Sequence, residues 1–229
     1  MDKVGKQTLE IMKSAPLYNR WLLSLLKKHL SGNILEIGAG IGNFTLYLQK
    51  YGTVTALDID KYYISKLKKI VTKPDLAGYG DIEKAEYYFA NKKFDCIVCL
   101  NVLEHIKNDQ IALKNMYSLI KKGGKLLLLV PAHQFAYTPM DKALGHFRRY
   151  TKKSLSKMAI EVGFEVNNIR YYNLPGIIGW FVNGKLLRKK LIPKSQLGMF
   201  DKVSVPWLTL EKKLPVPFGL SVMLIATKK

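Results

Sequence analysis

The sequence predicts an α/β fold built on a doubly wound, mostly parallel β-sheet. Strand-like apolar runs alternate with helical patterns along the chain, which is typical of such folds. A glycine-rich turn at Gly38–Gly42 joins an apolar run to a helical pattern, and Phe94–Leu100 is continuously apolar, as expected for a strand buried on both faces. With 229 residues, 48% of them hydrophobic, the chain can bury a sizeable core, and we expect one domain over residues 1–229.

Periodicity and turn residues predict the first elements. Leu9–Leu30 has the pattern of one amphipathic helix or two, with Pro16 as a break or a new start, in a helical cap over about residues 1–32. The elements that follow are a strand at Asn33–Gly38, a helix at Asn43–Tyr51 closed by Gly52, a strand at Thr53–Leu57 that ends in Asp58 and Asp60, and a lysine-rich helix at Lys61–Val71.

The later elements carry similar signals. After Phe94–Leu100, a helix extends to about Ile120, and two glycines then lead into the strand KLLLLVP. Thr151 is a natural N-cap for a helix at Lys152–Val162, which Gly163 closes. Strands at Phe164–Tyr172 and Leu220–Thr227 enclose an insertion over about residues 174–216, which we interpret as a lid or a surface patch.

Composition adds constraints on partners and location. The 37 basic and 17 acidic residues give a net charge of +20, which attracts anions. Nucleic acid, anionic lipid headgroups and acidic glycans are therefore candidate partners, although lysines that only solvate helix faces would give the same count. The N-terminus has no apolar stretch of signal-peptide type and no apolar run is long enough to span a membrane, so we expect a cytoplasmic protein. Cys96 and Cys99 would lie on opposite faces of their strand, which disfavours a disulfide.

The glycine-rich turn and two acids form a candidate nucleoside site. Glycines at 38, 40 and 42 allow positive φ and a close backbone approach at a helix N-terminus. Their spacing differs from that of dinucleotide-binding turns and phosphate-binding loops. Asp58 follows the second strand, where a carboxylate can accept both ribose hydroxyls. Asp81 is placed to face an adenine amino group, with Ile82 packed on the ring.

These segments resemble the class I S-adenosylmethionine-dependent methyltransferases. LEIGAGIGNF is similar to the first motif of that family, ALDID to its acidic second-strand motif, and FDCIVCLNVLEHI to the segment that includes its fourth strand. The resemblance covers roughly Asn33–Tyr172 and continues into the last strand. It implies a Rossmann-like sheet of seven strands with an antiparallel last strand, and S-adenosylmethionine as the cofactor.

The resemblance also implies a set of cofactor-binding residues. Glu36, Gly38, Ala39, Gly40 and Gly42 would bind the methionine portion, Asp58 and Ile59 the ribose, Asp81 and Ile82 the adenine, and Asn101 and Val102 would lie under the sulfonium, with His105 framing the pocket.

Missing residues narrow the acceptor. The loop after Phe94–Leu100 lacks the Asn/Asp-Pro-Pro-aromatic motif of adenine N6 methyltransferases, and Cys99 lies within a strand instead of a nucleophile loop. An acid that metal-dependent catechol-type enzymes need is absent there, so no metal is expected. Direct displacement still needs alignment and a base. His133 and His146 are the candidate catalytic bases, and each could instead be a hydrogen-bonded structural histidine.

The stretch between Pro131 and Tyr150 carries the candidate acceptor contacts. Its PAHxxxYxxxDxxxGHxRRY pattern resembles a subgroup of methyltransferases linked to glycans, glycolipids and other surface polymers. Paired arginines suit a carboxylate or a phosphate, but one of them could instead pair with Asp141 or Glu104. The predicted substrate-binding residues are Tyr137, Asp141, Arg148, Arg149 and Tyr150.

The leading hypothesis is O-methylation of a small molecule or a saccharide, lipid-linked acceptors included. The alternative is an RNA or protein methyltransferase that uses the basic surface, although no RNA-binding module is appended. Within the insertion, Ile177, Ile178, Trp180 and Phe181 precede a basic cluster of Arg188, Lys189 and Lys190. This combination is typical of a segment at an anionic membrane surface, or of a lid helix that buries its aromatic side chains against the sheet.

Overall fold

Eight strands form one mixed sheet at the centre of the protein. The computed structural model describes residues 3–189 and 194–229. Its strands are β1 (Gly32–Ile37), β2 (Gly52–Asp58), β3 (Ala77–Asp81), β4 (Glu86–Tyr87), β5 (Phe94–Leu100), β6 (Ile120–Pro131), β7 (Phe164–Tyr172) and β8 (Ser221–Lys228). Their spatial order is β4-β3-β2-β1-β5-β6-β8-β7.

Strand directions confirm the predicted α/β architecture. Strands β3, β2, β1, β5 and β6 pair in parallel, whereas β8 is antiparallel to both of its neighbours, β6 and β7. The last strand is therefore antiparallel, as expected. The sheet has one strand more than the seven expected, because the two-residue β4 turns back and pairs with the end of β3.

Nine helices accompany the sheet in the described part of the chain. They are α1 (Lys3–Lys13), α2 (Pro16–Leu26), α3 (Thr45–Leu48), α4 (Lys61–Leu67), α5 (Asp109–Leu119), α6 (Pro139–Leu144), α7 (Lys152–Val162), α8 (Leu174–Phe181) and α9 (Lys194–Glu211). Pro16 starts a new helix, and α7 has the predicted bounds. The helix predicted at Asn43–Tyr51 is reduced to α3, since Lys50 and Tyr51 donate to the third residue before them and tighten the turn.

The sheet has a buried core on each face. One core joins Ile97 and Cys99 of β5 to α5 and α7 side chains such as Met116 and Leu155. The other joins Ile34 and Cys96 to Leu22 and Leu26 of α2. The two cysteines therefore lie on opposite faces, as predicted, and both are free thiols whose pKa is raised by burial.

The insertion packs on α2 and on the end of β7. The carboxylate of Asp201 in α9 accepts the backbone N–H groups of Leu17 and Tyr18 at 3.2 and 2.7 Å, which satisfies free donors at the start of α2. Glu211 accepts the N–H groups of Asn173 and Leu174 at the start of α8 in the same way. Lys190 lies outside the described residues. Among the described helices, none has both the length and the apolarity to span a bilayer.

Candidate active site

The glycine turn has the backbone geometry that its sequence predicts. Gly38, Gly40 and Gly42 all have positive φ, at +66°, +56° and +82°. A side chain at Gly38 would also collide with Val102, whose Cγ2 would lie 2.4 Å from an added Cβ. Ala39 anchors the turn by donating its N–H to the carbonyl of Leu57 in β2 at 2.9 Å. Only glycine fits at Gly38 without displacing a neighbour.

Asp58, at the end of β2, faces the glycine turn. One carboxylate oxygen accepts the Gly40 N–H at 2.9 Å, and the other accepts the Asp60 N–H at 2.9 Å. An ionised carboxylate has about four acceptor positions, so capacity remains for two ribose hydroxyls. Burial raises the pKa of Asp58, and the two N–H donors oppose that rise. Its neighbour Ile59 is 67% exposed.

Glu36 is a second buried acid behind the glycine turn. It lies within β1, is almost inaccessible, and accepts the Thr45 hydroxyl at 2.6 Å. Burial raises the pKa of Glu36 to about 8, against the opposing effect of the Thr45 hydrogen bond. At neutral pH the carboxyl is therefore largely protonated, and a nearby cation would favour loss of that proton.

Asp81 and Ile82 lie at the end of β3. Asp81 closes a turn by accepting the N–H groups of Glu83 and Lys84 at 3.0 and 3.2 Å, and it forms an ion pair with Lys84 at 3.4 Å. Ile82 is buried, and its carbonyl accepts from Asn115 at 2.8 Å. The predicted adenine contacts stay predictions; the carboxylate of Asp81 is already engaged by its own turn.

The loop after β5 lies against the glycine turn. Asn101 has φ +54° and donates its N–H to the carbonyl of Leu129 in β6 at 2.8 Å. This conformation is uncommon outside glycine, although asparagine tolerates it well, and it re-aims the chain so that Val102 covers Gly38. His105 is exposed, and its ring lies edge to face on His146 with centroids 4.7 Å apart.

Helix α1 covers the other side of the glycine turn. Leu9 packs over Gly40, where an added Cβ would lie 3.0 Å from Leu9 Cδ1. The carbonyl of Leu9 accepts the Asn43 amide at 3.1 Å. Positive-φ glycines, acceptor-rich carboxylates and a cover of this kind fit a nucleoside carrying a positive charge, which is the chemistry of the expected cofactor.

His146 is held between two carboxyl groups. Its Nδ1 lies 2.8 Å from Asp141 Oδ1, and its Nε2 lies 3.9 Å from Glu104 Oε1. Arg149 clamps the same Asp141 carboxylate in a bidentate pair at 2.8 and 3.1 Å. Burial alone would raise the pKa of Asp141, but the hydrogen bonds from His146 and Arg149 lower it on balance. The imidazole is therefore oriented by an ionised partner.

Glu104 has both carboxyl oxygens buried without a hydrogen-bond partner among the described residues. Burial raises the pKa of Glu104 to about 8, so the group is largely neutral at pH 7. Glu104, His105 and His146 each bring a donor atom within 4.8 Å of the others. The sequence-based expectation of no metal did not anticipate this proximity.

The remaining predicted acceptor residues tie their loop to the fold. Arg148 pairs with Asp109 at 2.7 Å, and the Tyr150 hydroxyl donates to the same carboxylate at 2.9 Å. The Tyr137 hydroxyl donates to the His146 carbonyl at 2.7 Å. Of the two arrangements that the sequence left open for the arginines, Arg149 adopts the pairing with Asp141. Acceptor binding by these residues stays a prediction.

His133 lies in a cluster of aromatic rings directly after β6. Its ring centroid is 4.4 Å from that of Tyr171, 5.1 Å from that of Phe135 and 5.5 Å from that of Phe218. The backbone has φ +63°, held by an N–H donated to the Tyr150 carbonyl at 2.7 Å. Burial, and then the charge of Arg149, lower the pKa of His133 and favour the neutral imidazole.

Sequence reasoning placed His133 at this edge but missed its aromatic neighbours. Phe135 could have been found, because it is two residues from His133 in a loop that follows a strand. Tyr171 and Phe218 come from β7 and from the segment before β8, and no local signal links them to His133.

Comparisons with known proteins agree with this geometry. A family model described as "Methyltransferase domain" matches residues 11–169. A ubiquinone biosynthesis O-methyltransferase of Coxiella burnetii (strain RSA 331 / Henzerling II) is 30% identical over 184 residues, covering 71% of this chain and 79% of the relative. N-methyltransferase 4 of Papaver somniferum is 28% identical over 195 residues, covering 81% of this chain and 53% of the relative.

Solved structures show the same fold. An S-adenosylmethionine-dependent methyltransferase of Thermotoga maritima superposes with a TM-score of 0.63 at 17% identity, covering 100% of both chains. Phosphoethanolamine N-methyltransferase 2 of Haemonchus contortus, in complex with phosphomonomethylethanolamine and S-adenosylhomocysteine, gives a TM-score of 0.59 at 17% identity, covering 92% of this chain and 52% of that one.

Proposed function

The chain belongs to the S-adenosylmethionine-dependent methyltransferases, and we propose that it methylates a hydroxyl group of a small-molecule acceptor, a saccharide or lipid-linked form included. The observation that carries the proposal is the buried Nε2 of His133, which has no hydrogen-bond partner among the described residues. An imidazole kept neutral by burial and by Arg149 is suited to take a proton from a hydroxyl.

The residues at the carboxyl edge of the sheet divide the work. When bound, S-adenosylmethionine supplies a methyl group on a sulfonium that is open to direct displacement. Asp58 would accept the ribose hydroxyls, and the glycine turn with Glu36 would hold the methionine portion. Val102 and Asn101 would form the wall under the sulfonium. Much of the rate would then come from holding the acceptor in line, with His133 removing its proton.

His146 is the second candidate base. Asp141 orients its ring through Nδ1, which leaves Nε2 as the acceptor atom, but that atom faces Glu104 at 3.9 Å. An acceptor hydroxyl would have to enter between the imidazole and Glu104 to reach it. His133 has no such competitor among the described side chains, and we therefore rank it first.

The test combines product discovery with matched histidine variants. Methyl-labelled S-adenosylmethionine is incubated with the protein and with cell-envelope and small-molecule extracts, and products that gain a methyl group are identified by mass spectrometry. On such a product, His133→Ala is expected to lower kcat by about 10²- to 10⁴-fold with cofactor affinity unchanged by calorimetry. His29→Ala is the control, because His29 lies beside Lys125 at the opposite edge of the sheet. Normal turnover in both His133→Ala and His146→Ala would remove the base assignment.

A lipid-linked acceptor is favoured by the surface of the insertion. Residues 174–216 contain eight basic and two acidic residues, and both acids, Asp201 and Glu211, are buried and used as helix caps. Large apolar side chains are exposed beside the basic ones: Ile178, Phe181, Val182, Leu186, Leu187, Val203, Trp207, Leu210 and Leu214. Apolar anchors with cations and no outward acid suit an anionic membrane surface.

Vesicle flotation tests this membrane contact. The protein is expected to float with phosphatidylcholine vesicles that contain phosphatidylglycerol, and Phe181→Ser with Leu186→Ser is expected to weaken that binding. Ile160→Ser, a change at an equally exposed apolar residue of α7, is the control. A protein that stays with the pellet at low salt would exclude the membrane proposal, and with it the main argument for a lipid-linked acceptor.

A further inference from the structure

The aromatic cluster around His133 is built from four separate parts of the chain. Phe135 belongs to the turn after β6, Tyr171 to β7, Phe218 to the segment before β8, and Trp180 to α8. Phe135 and Phe218 are each about half exposed, at 55% and 51%, so the cluster opens to the surface on their side. The His133 ring lies within 34° of parallel to both Tyr171 and Phe135. This is the spacing and tilt at which flat rings stack.

Two buried polar atoms lie on either side of Arg149 without a partner among the described residues. One is Nε2 of His133 and the other is the indole Nε1 of Trp180. The Trp180 ring lies over the Arg149 guanidinium, 4.7 Å from its centre, and Arg149 donates to the carbonyl of Ala132, next to His133, at 3.1 Å. A buried donor or acceptor without a partner costs stability, so such atoms call for a ligand or a water.

The insertion is fixed over this cluster. Lys185 donates to the Phe135 carbonyl at 3.2 Å, and Gly184 lies so close to α6 that an added Cβ would be 2.6 Å from the Thr138 hydroxyl. Trp180 therefore stays next to the loop that carries His133, and its N–H is available to the same ligand. The cluster offers several ring faces but only these two unpartnered polar atoms.

We propose that this aromatic cluster is the acceptor subsite and that it takes a planar phenolic ring with a second oxygen beside its hydroxyl. The inference rests on the proposed function and gives it a substrate class. The ring would stack on Phe135 and Phe218, its hydroxyl would donate to His133 Nε2, and the adjacent oxygen would accept from Trp180. A saccharide ring carries several hydroxyls, and most of them would be left without partners here.

The transfer balances as a single displacement. The phenolic oxygen forms a bond to the methyl carbon while its proton passes to His133 Nε2. The bond from that carbon to the sulfonium breaks, and its electron pair stays on sulfur, which becomes a neutral thioether. The imidazolium of His133 then returns its proton to solvent.

The experiment measures binding and turnover separately. Catechol, guaiacol, phenol, cyclohexanol and glucose are titrated into the protein with S-adenosylhomocysteine, following tryptophan fluorescence and calorimetry, and the same compounds are assayed with methyl-labelled S-adenosylmethionine. Phe135→Ala and Phe218→Ala are each expected to raise the Kd for catechol about 2- to 12-fold. Trp180→Phe keeps the ring but removes the N–H, and it is expected to weaken catechol more than phenol.

The outcomes distinguish the two proposals. Methylation of catechol that the three aromatic variants weaken, with Tyr51→Leu unchanged as the surface control, supports the subsite. Methylation of cyclohexanol or glucose in preference to the phenols, unaffected by these variants, overturns the aromatic subsite and leaves hydroxyl methylation standing. Catechol that binds in the cluster but gives no methylated product supports the subsite and contradicts the proposed hydroxyl methylation. No binding of any phenol overturns the subsite.

Discussion

At the residue scale, Asp58 offers the sharpest test of the donor site. Asp58→Asn keeps the shape of the side chain but removes its charge and one of its two acceptor oxygens. Since hydrogen bonds to charged groups contribute about 1.5–3 kcal/mol, the Kd for S-adenosylmethionine is expected to rise about 10- to 100-fold in calorimetry.

Asp60→Asn is the matched control for that change. Asp60 caps α4 by accepting the Tyr62 N–H at 2.8 Å, and asparagine is an equally good N-cap. The control loses the same charge two residues away, so its affinity should stay near that of the wild type. A folded Asp58→Asn protein that binds as tightly as Asp60→Asn would refute the ribose assignment.

Glu104 makes the stability of the fold depend on pH. Its pKa rises from an ordinary value of 4.5 to about 8 because the carboxyl is buried. Between these values the folded chain holds a proton that the unfolded chain has released, so the free energy of unfolding falls as pH rises from 4.5 to 8. One such group contributes a slope of at most about 1.4 kcal/mol per pH unit.

Glu104→Gln removes this slope, because the amide has no proton to lose in that range. Thermal unfolding between pH 5 and 9 should show the variant gaining stability relative to the wild type as pH rises, by about 2–4 °C in Tm for each kcal/mol. Glu161→Gln, at an exposed position of α7, should keep the wild-type slope. Parallel curves for Glu104→Gln and the wild type would show that Glu104 is ionised in the folded protein.

At the element scale, local signals predicted α7 well. Thr151 and Ser154 form a reciprocal capping box, in which the Thr151 hydroxyl accepts the Ser154 N–H at 3.0 Å and the Ser154 hydroxyl accepts the Thr151 N–H at 2.9 Å. Gly163 ends the helix in the left-handed conformation. Thr151→Ala is therefore expected to lower the free energy of unfolding by about 1 kcal/mol, measured by urea denaturation.

Ser156→Ala, in the middle of the same helix, is the control for Thr151→Ala. It makes a similar Ser/Thr to Ala change without touching the cap, and alanine favours helix interiors. We expect it to be neutral or slightly stabilising. Equal losses in the two variants would mean that the cap contributes nothing beyond the hydroxyl itself.

Elements that depend on distant contacts were harder to predict. Helix α3 is shorter than its pattern suggests, because Thr45 is drawn to Glu36 in β1 and the chain tightens at Lys50 and Tyr51. The positive φ of His133 is set by its bond to Tyr150, seventeen residues away in sequence. Glycine turns and caps could be read locally, whereas these arrangements depend on which strands become neighbours.

At the scale of the whole molecule, strand order assembles the site. Strands β1, β2, β3, β5 and β6 are parallel neighbours, so their carboxyl ends meet at one edge. That edge brings together the glycine turn, Asp58, Asn101 and His133, which are distant in sequence. The donor side could be predicted from motifs that follow each strand, because such motifs are local. The acceptor side draws on Trp180 and Phe218, which come from the insertion and its exit, and no motif connects them.

The net charge of +20 can also be tested as a property of the whole surface. If it acts as a uniform field, removing any three exposed cations should weaken binding to anionic vesicles equally. If the insertion docks on the membrane, Lys185, Arg188 and Lys202 should contribute most, because each cation near the surface is worth about 1 kcal/mol. Changing these three to Gln should then lower vesicle affinity about 100-fold, since three such contributions sum to roughly 3 kcal/mol.

Lys66, Lys68 and Lys69, changed together to Gln, form the matched control, because they are exposed on and just after α4 and carry the same total charge. Sedimentation of both triple variants with phosphatidylglycerol vesicles, and filter binding with total RNA, separates three cases. Weaker vesicle binding in the insertion variant alone localises the docking surface to residues 174–216. Equal weakening in both variants indicates a diffuse field and contradicts docking through the insertion. Tight RNA binding that only the insertion variant loses would instead favour an RNA acceptor, because the outward cations of the insertion would then meet a phosphate backbone and not a lipid surface.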